Sequence, residues 1–79
     1  MPPYFFIWND LIEGHLAAHG VLPDEFEEVM CDPDEVYVSR SSGRPIAFGQ
    51  TSSGRYFACV YELLDDATVL PVTAYEVED

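Results

Sequence analysis

The chain has no lysine, and its only permanent cations are Arg40, Arg44 and Arg55. Against them stand 15 Asp and Glu residues, giving a formal net charge of −12 over 79 residues. The stretch from Arg40 to Arg55 contains no acid, so it carries +3 and the rest of the chain −15. Affinity for a phosphate backbone comes mostly from Lys and Arg displacing counterions, so three arginines in a strongly negative field argue against nucleic acid as a partner. The field favours a basic protein partner, or serves solubility alone.

Cysteine is also scarce. Cys31 and Cys59 lie far apart and form no CxxC pair. The N-terminal run MPPYFFIW has no cationic region before it and is too short for a signal peptide or a membrane span. These features predict a cytoplasmic protein with reduced thiols and no membrane association. No glycine-rich phosphate loop and no GxSxG turn occurs, so neither nucleotide cradling nor a serine-hydrolase elbow is indicated.

What is present belongs to a folded domain. Hydrophobic residues make up 48% of the chain and charged ones 23%, the proportions of a globular protein. At this length a single domain spanning residues 1–79 with a small core is expected. Tyr4 to Trp8 reads as a short strand. Asn9 and Asp10 suit a helix N-cap, and Asp10 with Glu13 fits a capping box. Trp8, Leu11, Ile12, His15, Leu16 and His19 recur at helical spacing, and Gly20 stands where a left-handed C-cap belongs. Pro23 opens a second helix, with Asp24 and Glu25 at its positive end and Phe26, Val29 and Met30 as its apolar stripe. Pro33 stops it after Cys31.

Beyond Val36 the period changes to two. Val36–Arg40, Arg44–Thr51, Arg55–Glu62 and Thr68–Val77 are strand candidates. The tripeptide SSG occurs twice, each time between two of them, where Ser starts a turn and Gly supplies positive φ. Three-residue loops set Arg40 opposite Arg44 and Thr51 opposite Arg55. Alternation then collects Val36, Val38, Ile46, Phe48, Tyr56, Ala58 and Val60 on one face, expected to pack on the helices. The other face receives Tyr37, Ser39, Ala47, Gly49, Thr51, Arg55, Phe57, Cys59 and Tyr61. Ala47 and Gly49 there suggest room above the sheet, and Tyr75 joins from the last strand. This second face is the expected binding surface, with Tyr37, Phe57, Cys59 and Thr51 as its contacts. Arg44 and Thr51 lie about 24 Å apart along one strand, so the three arginines form no single patch. Pro71 lacks a backbone donor, which predicts that the last strand lies at a sheet edge.

Other chemistry is thin. His15 and His19 have the i, i+4 spacing of metal ligands, but only Cys31 offers a third ligand, so they read as half-buried packing residues and no metal or other cofactor is expected. Glu25, Glu27, Glu28, Asp32, Asp34 and Glu35 read as a solvated acidic face. Cys59 reads as a buried structural thiol.

Several short motifs, in order, resemble the BrnT toxin family, whose fold is related to the RelE-like ribonuclease toxins. They are I-W at Ile7 and Trp8, HG-V at His19 to Val21, P-x-E-x-E-E-V at Pro23 to Val29, G-Q-T-x-x-G-R at Gly49 to Arg55, V-Y-E at Val60 to Glu62 and V-T-A at Val72 to Ala74. The resemblance implies a small toxin of a type II toxin–antitoxin pair that cuts RNA without a metal. It also implies an acid–base and phosphate-binding site, for which Arg55, Tyr61 and Tyr75 are the residues available here. The chain departs from the pattern at two positions. Ala18 stands where a basic residue commonly precedes HG, and Tyr75 where Arg commonly follows T-A. One electrostatic donor to a transition state is worth roughly 3–4 kcal/mol, so losing several removes most of the rate.

The expectation is an α+β domain, β-α-α-β-β-β-β, with two N-terminal helices on a four- to five-stranded, mainly antiparallel sheet. Its expected function is that of a catalytically degenerate BrnT-like protein that acts by binding protein, either an antitoxin-like partner or itself. The alternatives are an active ribonuclease toxin and a small-ligand binder on the open sheet face.

Overall fold

The structure, a computed structural model, describes residues 4–77. Its elements are β1 (Phe5–Phe6), α1 (Asp10–Ala18), α2 (Pro23–Cys31), β2 (Glu35–Val38), β3 (Pro45–Gln50), β4 (Tyr56–Leu63) and β5 (Thr68–Glu76). The strands form one sheet in the order β1-β5-β4-β3-β2. β1 runs parallel to β5 and every other pair is antiparallel. The expected α+β layering of two helices on a mixed five-stranded sheet is therefore present.

Local signals placed both helices. Asn9, extended at φ −151°, caps α1 by accepting the Ile12 N–H at 2.8 Å, so the cap is Asn9 rather than Asp10. Gly20 takes φ +75° and donates to the Ala17 carbonyl, turning the chain after α1. Pro23 occupies the first turn of α2, and Glu25 accepts the Leu22 N–H at 3.0 Å. The core lies between the helices and one sheet face. Leu16, Val21, Phe26, Val29 and Met30 meet Ala47, Phe57, Cys59, Tyr61, Val69 and Ala74. Phe6 and Trp8 close one side, both edge-on to Phe26.

Four expectations are corrected. First, the helices cover the face carrying Ala47, Gly49, Phe57, Cys59 and Tyr61, not the face carrying Ile46, Phe48 and Val60. The small residues decide this. A Cβ on Gly49 would stand 3.0 Å from Val29 Cγ1, so the missing side chain is what lets α2 lie close.

Second, the first hairpin is shifted by one residue. Ser39 N–H donates to the Arg44 carbonyl and Gly43 N–H to the Ser39 carbonyl, which makes a four-residue loop and pairs Tyr37 with Ile46. The second SSG does close the expected three-residue loop, with Thr51 N–H on the Arg55 carbonyl and Gly54 at φ +90°. Burial pins a register only where one face is buried, and all four residues of β2 are exposed, so the turn bonds and the Tyr37–Phe48 ring contact at 5.7 Å set it instead.

Third, β5 is not an edge strand but lies between β1 and β4. Pro71 is tolerated because β1 pairs only with Thr68 and Val69, and because the ladder to β4 shifts at this point. Val60 faces Thr73 and Tyr61 faces Pro71, leaving Val72 as the extra residue of a bulge.

Fourth, α1 buries little. Leu16 is its one fully buried residue, Leu11 is 83% exposed, and His15 and His19 are exposed rather than half-buried.

Candidate functional site

Arg55 follows the second SSG turn and projects onto the helix-covered face. Two of its three nitrogens are engaged there. Nη1 donates to Glu25 Oε2 at 3.0 Å, and Nη2 to both Glu76 Oε1 and the Gly20 carbonyl at 3.1 Å. The guanidinium carbon lies 4.7 Å over the Phe57 ring. One cation thus ties α2, the α1–α2 turn and β5 to β4. The Glu76 hydrogen bond, ahead of an opposing burial effect and the charge of Glu25, holds its pKa above the ordinary arginine value. Glu25 is equally occupied, since its other carboxylate oxygen accepts the Leu22 N–H.

The remaining cations are separate. Arg44 Nε donates to Glu62 Oε1 at 2.8 Å across the β3–β4 pair. Arg40 is exposed in the first hairpin loop and forms no ion pair among the described residues.

The structure does not assemble Arg55, Tyr61 and Tyr75 into one site. Tyr61 is 6% exposed within the core, and burial with the nearby Tyr4 raises its pKa, holding it neutral. Tyr75 pairs with Ala58 and lies on the other face, 43% exposed. The expected binding contacts divide in the same way. Phe57 and Cys59 are fully buried beneath the helices, and Thr51 is buried with its hydroxyl 2.7 Å from that of Ser53. The Cys59 thiol is pushed by burial to about 12, which suits packing and not nucleophilic work. Only Tyr37 is accessible, on the outer face, with its hydroxyl donating to Glu35 Oε2 at 2.8 Å.

The acidic run is more than a solvated face. Besides Glu25, Glu27 accepts the Trp8 indole N–H at 2.6 Å and Glu28 accepts the Ser52 N–H at 3.0 Å. Three carboxylates of α2 therefore anchor β1's exit, the second hairpin and Arg55. The pairing of Arg55 with Glu76 joins residues far apart in sequence and carried no local signal. His15 and His19 stack edge-on at 5.0 Å, with His15 Nε2 3.0 Å from the Thr73 hydroxyl. No group of three metal-binding side chains occurs among the described residues. No helix among them is long and apolar enough to cross a membrane.

What remains open is the sheet's outer face and its β2 edge. Tyr37, Ile46, Phe48, Val60 and Tyr75 stand on a face that neither helix covers, and Val36 and Val38 project from β2 beyond the helices' reach. Comparison with protein-family models, with curated proteins and with solved structures returns no match to this chain.

Proposed function

We propose that this chain is a protein-binding domain, a BrnT-like toxin fold that has lost ribonuclease chemistry. The observation that carries the reading is the commitment of Arg55, the one cation retained within the family-like G-Q-T-x-x-G-R stretch. It is already bonded to Glu25, Glu76 and the Gly20 carbonyl. A phosphate approaching it would compete with two carboxylates already in place, against a net charge of −12. Arg44 is likewise neutralised by Glu62. The two tyrosines expected beside Arg55 do not join it, since Tyr61 is buried in the core and Tyr75 is on the opposite face.

The accessible chemistry supports association. Phe48, Ile46, Val60 and Tyr75 give the outer face an apolar, aromatic surface of the kind that marks protein contacts. The negative field steers basic partners towards it. Titration against single-stranded RNA, with gel analysis for cleavage, tests the first half of the proposal. The expected result is neither binding nor cleavage at physiological salt. Cleavage abolished by Arg55→Ala would overturn it and establish a ribonuclease. Titration with the product of the adjacent gene, comparing wild type with Phe48→Asp, tests the second half.

A further inference from the structure

β2 is an edge strand whose protection is limited to its shortness, four residues, and the charge of Glu35. No strand pairs with its outer side among the described residues, and its sequence, EVYV, contains no lysine and no proline. Its three apolar residues are all exposed, Val36 by 52%, Tyr37 by 54% and Val38 by 68%. Exposure on both faces of one strand is not explained by a partner lying on the outer face alone. It is explained by a partner that continues the sheet.

We propose that β2 pairs antiparallel with β2 of a second copy, about a twofold axis at Tyr37, joining the two sheets into one of ten strands. The proposal rests on reading the chain as an interaction domain, and it adds where two copies meet. Three features of the strand fit this occupant.

The backbone parity is right. Ser39 donates its N–H to Arg44 on β3, so by alternation Glu35 and Tyr37 point their backbone groups to β3, while Val36 and Val38 point theirs outward. An antiparallel copy centred on Tyr37 sets Val36 opposite Val38 of the other copy, twice. Both are outward-pointing residues, as a hydrogen-bonded pair requires. Tyr37 then meets its own counterpart as a non-hydrogen-bonded pair.

The side chains also match. The valines of both copies fall on the helix side. On the outer side Tyr37, already edge-on to Phe48 at 5.7 Å, continues an aromatic row into the second copy.

The charges are self-complementary. Asp34 and Glu35 precede the strand's apolar residues, and Arg40, the arginine without an ion pair among the described residues, follows them. Antiparallel pairing brings Arg40 of each copy to the acidic end of the other. Parallel pairing would stack like on like.

Molecular mass in solution, measured over protein and salt concentration, tests the proposal. The expected result is a concentration-dependent dimer that tightens as salt rises, because salt screens the repulsion between two copies of charge −12. Val38→Pro removes an outward N–H while leaving the β2–β3 ladder intact. It should weaken association roughly tenfold with unchanged far-ultraviolet circular dichroism. Arg40→Asp should weaken the dimer, and Arg40→Asp with Asp34→Arg should restore it. Tyr37→Cys in a Cys31→Ser background should form an intermolecular disulfide under mild oxidation, since the paired Cα atoms would stand about 4.5 Å apart. A monomer at all salt concentrations would overturn the proposal, as would a dimer indifferent to Val38→Pro. Either result leaves the RNA and partner titrations standing, so the two readings fail separately.

Discussion

The two faces of the sheet are built from similar residues and have opposite fates. One carries Ala47, Gly49, Phe57, Cys59 and Tyr61 and is sealed by the helices. The other carries Ile46, Phe48, Tyr56, Val60 and Tyr75, and neither helix covers it. Counting apolar side chains favours the second as the buried face, because its residues are bulkier. The lesson is that a helix packs where the sheet offers low ground. Ala47 and Gly49 read in isolation as room for a ligand, but that room is filled by α2, with Val29 set directly over Gly49. Bulk on the outer face instead lets the side chains shield one another, as with Ala58, which is fully buried there despite having no helix above it.

The sharpest way to break this comparison is to truncate one aromatic on each face. Phe57→Ala empties a fully buried site and should cost about 3–5 kcal/mol, enough to unfold much of so small a domain. Tyr75→Ala, at 43% exposure, should change stability by no more than about 1 kcal/mol. Urea unfolding followed by tryptophan fluorescence reads both. Equal effects would mean that the faces are wrongly assigned.

A smaller effect probes the low ground itself. Gly49→Ala places a methyl group 3.0 Å from Val29 Cγ1 and should destabilise the fold by about 1–3 kcal/mol through overpacking. Adding Val29→Ala makes space for that methyl, so the double mutant should lose less than the two single effects summed. Strict additivity in the same unfolding assay would count against close packing at this point.

A pH dependence leaves neutral pH untouched and shows only in alkaline solution. Folding holds the Cys59 proton more tightly, with the pKa moved from 9.0 to about 12. The stability this contributes is complete below pH 9 and is lost as pH rises from 9 towards 12. Tyr61, raised by burial, acts in the same direction. Thermal melts across that range should fall, and Cys59→Ala should flatten part of the decline. At neutral pH a thiol reagent should modify exposed Cys31 in the native protein and reach Cys59 only on unfolding.

Local chemistry accounts for some of these elements and not for others. Both helices, all five strands and the second hairpin follow from local chemistry. Asn9, Gly20 and Pro23 fix helix ends, and the SSG at Ser52 to Gly54 fixes a turn whose flanking residues, Thr51 and Arg55, pair as expected. The identical tripeptide at Ser41 to Gly43 closed a longer loop, because β2 has no buried face to hold its register. The candidate site was the least legible part. Arg55 stands out as a rare cation, but its partners Gly20, Glu25 and Glu76 come from three distant segments, and a set of 15 acids gives no hint which two will reach it.

By itself the sequence determined the α+β class, the element order, the helix caps and the strong negative charge, because each depends on residues near one another in the chain or on composition alone. The tertiary structure decided which sheet face is buried, that Pro71 lies in an inner strand, that Arg55 is paired with two carboxylates of its own chain and that β2 ends the sheet. These depend on which surfaces meet across the sheet, and alternation along a strand is the same whichever face the helices take.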